Sequence, residues 1–481
     1  SQRWVLELPL TAIDTIPTLA AARAEGWTEL MSVLARELRG GFAETYYYRP
    51  LTLVSYTFDQ WVWGGTAWGY HLTDIMLHGA ATVAVYWFAR SAVDLSRTLA
   101  LLASAIFLIH PSTIEVVPAI ARRQEPLMVI GFCLALIGAR HVPRRPGWLL
   151  MMLGTLVAVT ASERGLAISA VVAGYLFFYR FAASSLRSRT LRSARWVLPS
   201  IGMCAAFFTL RSVLYGPAGA AFRLENFVEM PILFGLWLFY PQQMFDISAP
   251  DSAAGLIAFL SISAIIGFAF LLPVLRSPRR RLLWAALSWV GGYLFFISVA
   301  GHLNPWYVYT AVPGLALIVA FFAQEAFLLL TNQSGAKLGA GLAATAALVL
   351  TLSVGLPSPV SRDYPAWSIA AGLSDRFLGE LSLLMSDLPP TAQVAIINLP
   401  AHFAESNSDY MVTRSAAILW PSSIAAWTRD NNIECGIQLI GSADFVSQTS
   451  VPEIRMTEDS IQVFFTEGSS TYTNSNGEWP G

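Results

Sequence analysis

The chain has 481 residues, 55% of them hydrophobic and only 13% charged, with a mean hydropathy of +0.53. Soluble domains carry roughly a quarter charged residues, so a soluble fold is excluded and an integral membrane protein is implied. The formal net charge of -1 provides no basic field for nucleic acid, and the three cysteines, Cys133 and Cys204 in apolar runs and Cys435 alone, form neither a disulfide framework nor a CxxC metal site.

The opening SQRWVLELPLTAIDTIPTL lacks a basic flank followed by an apolar core, so it reads as neither a signal peptide nor a span. Thr18 to Leu38 is amphipathic, and the aromatic run from Tyr46 to Trp68 suits the headgroup interface, where Tyr and Trp set an apolar ring beside a polar tip. Residues 1–68 are therefore expected to be a first extracytoplasmic loop with interfacial helices. Apolar runs follow near 70–90, 95–110, 126–140, 148–162, 165–181, 196–215, 253–275, 282–300, 307–330 and 337–357. Each approaches the ~20 residues that cross a ~30 Å hydrocarbon core, which predicts an all-α polytopic domain of about ten transmembrane helices over 69–357.

Basic residues fix the expected orientation. Arg90 and Arg97, then Arg140, Arg144 and Arg145, then Arg180 to Arg195, then Arg276 to Arg281, and finally Lys337 fall on alternate loops, which assigns those loops to the cytoplasm. The alternation requires that 226–246, with Pro231, Pro241 and Glu229, be interfacial or re-entrant rather than spanning. Residues 1–68, the loops near 111–125, 216–252 and 301–306, and everything beyond 358 then lie outside. From Ser358 the hydropathy drops, and QVAIINLP (393–400) reads as a buried strand, so 358–481 is expected to be a small α/β or α+β extracytoplasmic domain. No internal repeat, P-loop or GxGxxG is present, and the sequon Asn332-Gln333-Ser334 falls on the cytoplasmic side, consistent with a bacterial inner membrane and a periplasmic C-terminal domain.

Ionisable residues near membrane depth cost a few kcal/mol each and default to a functional hypothesis. Three groups stand out on the outer side. Asp14 accompanies Tyr48-Arg49-Pro50-Leu51 and the pair His71 and His78: a carboxylate there can act as a general base and an Arg offers a planar fork for phosphate. The competing structural reading is that Asp14 caps the helix near Pro17, Arg49 snorkels and the histidines pack. His110-Pro111-Ser112-Thr113-Ile114-Glu115 continues to Arg122-Arg123-Gln124-Glu125, two arginines where the topology rule disfavours them, held by an anionic ligand or by an Arg–Glu network. Ser162-Glu163-Arg164 sits in a tight hairpin as an ion pair or a site, and His302, Asn304 and Trp306-Tyr307 can join either group. Nothing has zinc-ligand spacing.

The runs YYRPLTLVSYTFDQWVWGGTAWGYHLTDIMLHG (47–79), HPSTIEVVPAIARRQEPL (110–127), ASERGLAIS (161–169) and NPWYVYTAVPG (304–314) resemble bacterial relatives of the transmembrane-and-TPR O-mannosyltransferases, within the GT-C superfamily of membrane glycosyltransferases. The resemblance covers roughly 14–330 and is most specific over 40–127; the C-terminal domain lies outside it, and no TPR repeat follows. It implies sugar transfer from a polyprenyl-phosphate carrier to an acceptor on the extracytoplasmic face by inverting general-base catalysis. Asp14 and Glu115 are the implied catalytic residues. Arg49 and Arg123 are implied phosphate ligands, and His71, His110, Glu125, Glu163, His302 and Tyr307 substrate contacts. A divalent cation, Mg or Mn, is the implied cofactor option, with Glu115 a candidate ligand. The expected partners are the lipid-linked donor, membrane lipid, an acceptor and a protein docking through 358–481. Two departures, one acid in Ala12-Ile13-Asp14-Thr15 where relatives pair two and Trp306 where relatives tend to show Arg, together with the family's first helix not being seen, frame an alternative: a non-catalytic GT-C-like subunit acting as scaffold or assembly factor. A transporter would show inverted repeats and broken helices, which the sequence does not display.

Overall fold

A computed structural model of the chain describes residues 2–10, 14–41, 47–216, 223–239, 280–301, 303–331, 365–386, 393–403, 426–427, 436–446, 451–456 and 460–466. The described apolar runs up to residue 331 are helical. Short helices α1 (Thr15–Ala21) and α2 (Trp27–Val33) precede α3 (Pro50–Trp63), α4 (Ala67–Ser91) and α5 (Arg97–Ile109). A loop with one turn of helix, α6 (Ser112–Val116), leads to α7 (Gln124–His141), α8 (Arg145–Ala161), α9 (Ile168–Tyr175) and α10 (Leu186–Tyr215). Then come α11 (Asn226–Phe239), α12 (Arg280–Ala300) and α13 (Val308–Thr331). The expected spans at 253–275 and 337–357 lie outside the described residues.

Local chemistry sets several helix starts. Pro50 and Pro146 occupy first-turn positions, where a missing N–H costs nothing. Ser96 caps α5 by accepting from Leu99 N at 3.3 Å. Among the described residues, α4, α10, α12 and α13 are long and apolar enough to cross a membrane, and the shorter α5 and α8 are also apolar. The chain is a multi-pass helical membrane protein. On α4 the exposed side chains Trp68 (45%), Met76 (64%), Val83 (57%) and Trp87 (62%) form a stripe. At 1.5 Å per residue its two tryptophans stand ~28 Å apart, the thickness of a hydrocarbon core with an aromatic ring at each edge.

Helices pack through small residues, as they must where lipid tails compete with any apolar side chain. Along α7 and α8, Gly131, Gly138, Gly147 and Gly154 let the two backbones touch: a Cβ at Gly131 would lie 2.7 Å from Ala158 N and 2.8 Å from Gly154 O.

The basic turns gather at one end of this bundle. Arg140 pairs with Asp94 at 2.7 Å, joining the α7–α8 turn to the α4–α5 turn, and Arg180 donates to Val142 O at 3.3 Å, bringing in the π-helical turn Leu176–Arg180 that follows α9. Tyr179 beside Asp94 feels the charge of Arg281 at the start of α12. The opposite end collects the chain entry, the α5–α7 loop, the α8–α9 turn and the turn at Pro305–Tyr307. Helix α11 packs against the half of α12 and α13 nearest that second end: Phe227 meets Phe295, Phe234 meets Tyr293, and Leu238 O lies 3.5 Å from His110 Nε2.

Toward the C-terminus, α14 (Pro365–Ser386) precedes a four-stranded sheet. Its strands are β1 (Gln393–Phe403), β2 (Gly436–Val446), β3 (Val451–Met456) and β4 (Ser460–Thr466), in the order β2-β1-β4-β3. β1 runs parallel to β2 and β4, while β3 pairs antiparallel with β4. QVAIINLP is the first eight residues of β1, a central strand as its unbroken apolar run requires.

Candidate functional site

Four arginines meet at the end of the bundle away from the basic turns, each held by a carboxylate and an aromatic face. Arg49, the residue before α3, donates from Nε to Glu163 Oε2 at 2.9 Å and lies 4.5 Å from the centre of the Tyr47 ring. The same ring carries Arg39 at 4.9 Å, and Arg39 Nε stands 3.9 Å from Glu37 Oε1. Arg122 donates from Nη1 to Glu115 Oε2 at 3.0 Å and also to Glu115 O, with its guanidinium 3.7 Å above the Trp306 ring. Arg164 makes a two-point pair with Glu125, donates to Tyr293 OH at 2.9 Å and lies 3.8 Å above the Tyr307 ring. Thr310 Oγ1 completes the Glu125 shell at 3.0 Å, and Asn304 Nδ2 reaches Tyr307 OH at 3.3 Å.

Asp14 and Glu37 share Arg39, each 3.9 Å from its guanidinium, but Glu37 is also held by backbone N–H groups. Asp14 occupies the position before α1, but its side chain makes no capping bond, so the helix-cap role is unfilled. Its side chain is 20% exposed, and Oδ1 makes no hydrogen bond to any described residue, the nearest cation being Arg39 Nη1 at 3.9 Å. Burial raises its pKa above the ordinary carboxylate value, against the opposing pull of Arg39, Arg49 and Arg122. Two of those guanidiniums keep a free edge. Among the described residues Arg49 uses only Nε and Arg122 only Nη1, which leaves two in-plane donors on each for an oxyanion.

Glu115 is 1% exposed, and burial pushes its carboxyl up to about 7 although Arg122 pulls it down. Glu163 serves as a strut: one oxygen holds Arg49 and the other accepts from Tyr48 N at 2.5 Å. Glu37 accepts from Arg39 N, Gly41 N and Tyr47 N at 2.7, 3.0 and 2.9 Å.

Several sequence-selected residues stand elsewhere. Arg123 points into a separate buried cluster, with Nε 2.5 Å from Asp74 Oδ1 and Nη2 2.6 Å from Asp59 Oδ2, further donors on Ser55 O and Tyr70 O, and the Tyr56 ring at 4.3 Å. Its guanidinium is spent on packing α3 and α4 against α7, and the neighbouring Arg122 faces the site instead. His110 receives the Ser112 backbone N–H on Nδ1 at 3.1 Å, so the proton sits on Nε2 toward Leu238 O; the ring ties α6 to α11. His71 is buried against the backbone of Leu8 and Pro9, and His78 joins Tyr309 OH at 2.8 Å to Leu108 O. His302 lies outside the described residues.

Among the described residues no three His, Cys, Asp or Glu side chains gather as a metal needs, and Glu115 faces a guanidinium, not a second acid.

Comparisons with known proteins return the resemblance read from the motifs. The chain is 32% identical to the protein O-mannosyl-transferase Tmtc1 of Drosophila melanogaster over 114 residues, 24% of this chain and 13% of that protein. It is 27% identical to Tmtc3 of the same organism over 162 residues (27% and 17% of the two chains) and 29% identical to Tmtc2 over 188 residues (37% and 20%). The chain spans a fifth or less of the length of these curated relatives. No protein-family model matches. Among solved structures, ArnT from Cupriavidus metallidurans bound to undecaprenyl phosphate aligns over 90% of this chain and 86% of its own, at 13% identity and a TM-score of 0.42. The archaeal oligosaccharyltransferase AglB from Archaeoglobus fulgidus aligns over 85% and 60%, at 15% identity and a TM-score of 0.41.

Proposed function

We propose that this protein transfers a sugar from a polyprenyl-phosphate donor to an acceptor at the membrane face where Asp14, Arg49 and Arg122 meet. The observation that carries the reading is Asp14: a largely buried carboxylate with a hydrogen-bond-free oxygen, within the field of three guanidiniums. A purely structural acid would be expected to be hydrogen-bonded, as Glu115, Glu125 and Glu163 are to their arginines and Glu37 is to backbone N–H groups. Similarity to O-mannosyl-transferases over part of the sequence supports glycosyl transfer as the chemistry.

In the proposed step an acceptor hydroxyl attacks the anomeric carbon from the side opposite the phosphate. The new O–C bond forms as the bond from carbon to phosphate oxygen breaks; the electron pair leaves on the lipid phosphate and the hydroxyl proton passes to Asp14. Configuration inverts. A carboxylate whose pKa is raised toward the working pH is the better base. The free edges of Arg49 and Arg122 take the charge that grows on the leaving phosphate, in a partly dry site where such contacts are strong. The guanidiniums do the work a cation would do elsewhere, so EDTA is expected to leave transfer intact. The basic turns at the opposite end support a reading in which this face lies outside a bacterial cytoplasmic membrane, by the positive-inside rule.

The test is transfer of label from a panel of radiolabelled polyprenyl-phosphate sugars to membrane acceptors, with the protein in nanodiscs. Transfer by the parent protein and its loss in Arg49→Ala would support the reading. No transfer from any donor would favour a non-catalytic subunit.

A further inference from the structure

The four arginines are not held alike. Arg164 is fastened by two carboxylate oxygens and a tyrosine hydroxyl, and Arg49 by a strut that is also pinned to the Tyr48 backbone. Arg122 has one carboxylate oxygen and one backbone oxygen, both on Nη1, and the face of Trp306 at 3.7 Å. A guanidinium gripped through a single nitrogen can still swing about that contact. The indole removes the freedom: a cation lying flat on a ring can use only donors in its own plane, so Nε and Nη2 are confined to one direction.

We propose that Trp306 is the positioning residue for Arg122, a ring platform that fixes which edge of that guanidinium meets the donor phosphate. This rests on the donor reading above. The platform is itself well anchored. Trp306 packs edge-on to Tyr307 at 5.7 Å, Tyr307 carries Arg164, and the turn at Pro305–Tyr307 lies against α6, the helix that bears Glu115. Two aromatic neighbours in sequence thus hold two arginines that arrive from different loops. The arrangement also protects the geometry from protonation. The charged groups acting on Arg122 are Glu115, Glu125 and Asp14, of which Glu115 holds its proton up to about 7, whereas an indole has no charge to lose. Trp306 therefore keeps Arg122 in place when Glu115 is protonated.

The experiment measures binding of radiolabelled undecaprenyl phosphate to nanodisc-embedded parent protein, Trp306→Phe, Trp306→Leu and Arg122→Gln, at several pH values between 5.5 and 8, with thermal unfolding of each run in parallel. Trp306→Leu should weaken binding on the order of tenfold, the size of a partly desolvated cation–π contact, and Trp306→Phe should recover most of it. The loss in Trp306→Leu should be larger at pH 5.5 than at pH 8, since there Glu115 no longer assists. In the double variant with Arg122→Gln, removal of the ring should add nothing further. Equal binding by parent and Trp306→Leu would overturn the inference while leaving the donor reading in place. Equal losses in the Phe and Leu variants, or losses that track unfolding and ignore pH, would reduce Trp306 to packing. No binding by the parent protein would end the donor reading and this inference with it.

Discussion

Arg49 and Glu163 are 114 positions apart in the chain and form a 2.9 Å pair through Nε, leaving both terminal nitrogens of the guanidinium unpaired among the described residues. That choice of atom matters, because a pair through the terminal nitrogens would have blocked the edge that fits a phosphate. Arg49→Lys, which keeps the charge and loses the fork, is expected to weaken binding of undecaprenyl phosphate by roughly tenfold or more. Glu163→Gln should act in the same direction by loosening Arg49. Titration of nanodisc-embedded protein with labelled lipid phosphate measures both, and unchanged affinity in Arg49→Lys would remove the fork from the mechanism.

Neighbouring arginines should behave as opposites. Arg123 is fully buried between Asp59 and Asp74, so Arg123→Met strands two carboxylates and should cost about 3–5 kcal/mol of stability. Arg122→Gln should instead lower donor binding, with a smaller shift of the unfolding midpoint. Thermal unfolding in detergent, paired with lipid-phosphate binding, separates the two outcomes.

Glu115 gives the stability a pH dependence of definite sign. An unfolded glutamate releases its proton near 4.5, while the folded one keeps it up to about 7, so the folded state binds more protons across that window. Stability from this group is full below 4.5 and is lost as pH rises to 7. Asp14 acts in the same direction, so the useful comparison is between parent and Glu115→Gln: the variant should show a shallower fall of unfolding midpoint across the window. Parallel curves would mean that Glu115 titrates normally.

Backbone contact between α7 and α8 predicts intolerance of side chains. Gly131→Val must push atoms into Ala158 N and Gly154 O, each within 3 Å of the added Cβ, at an expected cost of about 1–3 kcal/mol. Gly202, on α10 with open space around it, is the control and should accept Ala with little change in midpoint.

Most of the helical architecture was legible because hydropathy and charge act along the chain. The runs that became α4, α5, α7, α8, α10, α12 and α13 are apolar, and the alternation of Arg90, Arg140 and Arg180 anticipated their meeting at one end. QVAIINLP became β1 for the same reason. The site was legible as a set of loops but not residue by residue. Nothing local distinguishes Arg122 from Arg123; a turn at Ile120–Arg122 sends one toward Trp306 and the other toward Asp74. Glu37 and Arg39 carried no signal, because their role depends on contacts with Tyr47 that no local spacing rule reads. Trp306 read as a departure from the family pattern, and its stacking on Arg122 is a contact across 184 positions that no spacing rule reaches.

The central claim is that Asp14 takes the acceptor's proton. The direct measurement is single-turnover transfer of radiolabel from the polyprenyl-phosphate sugar that the parent protein accepts, compared with Asp14→Asn in nanodiscs at matched protein and with donor binding checked separately. Asn preserves size and removes the basic oxygen, so transfer should fall by at least about a hundredfold while affinity for the donor stays within about threefold. Transfer that persists in Asp14→Asn at close to the parent rate would contradict the assignment and leave Asp14 as a bystander to the arginines around it.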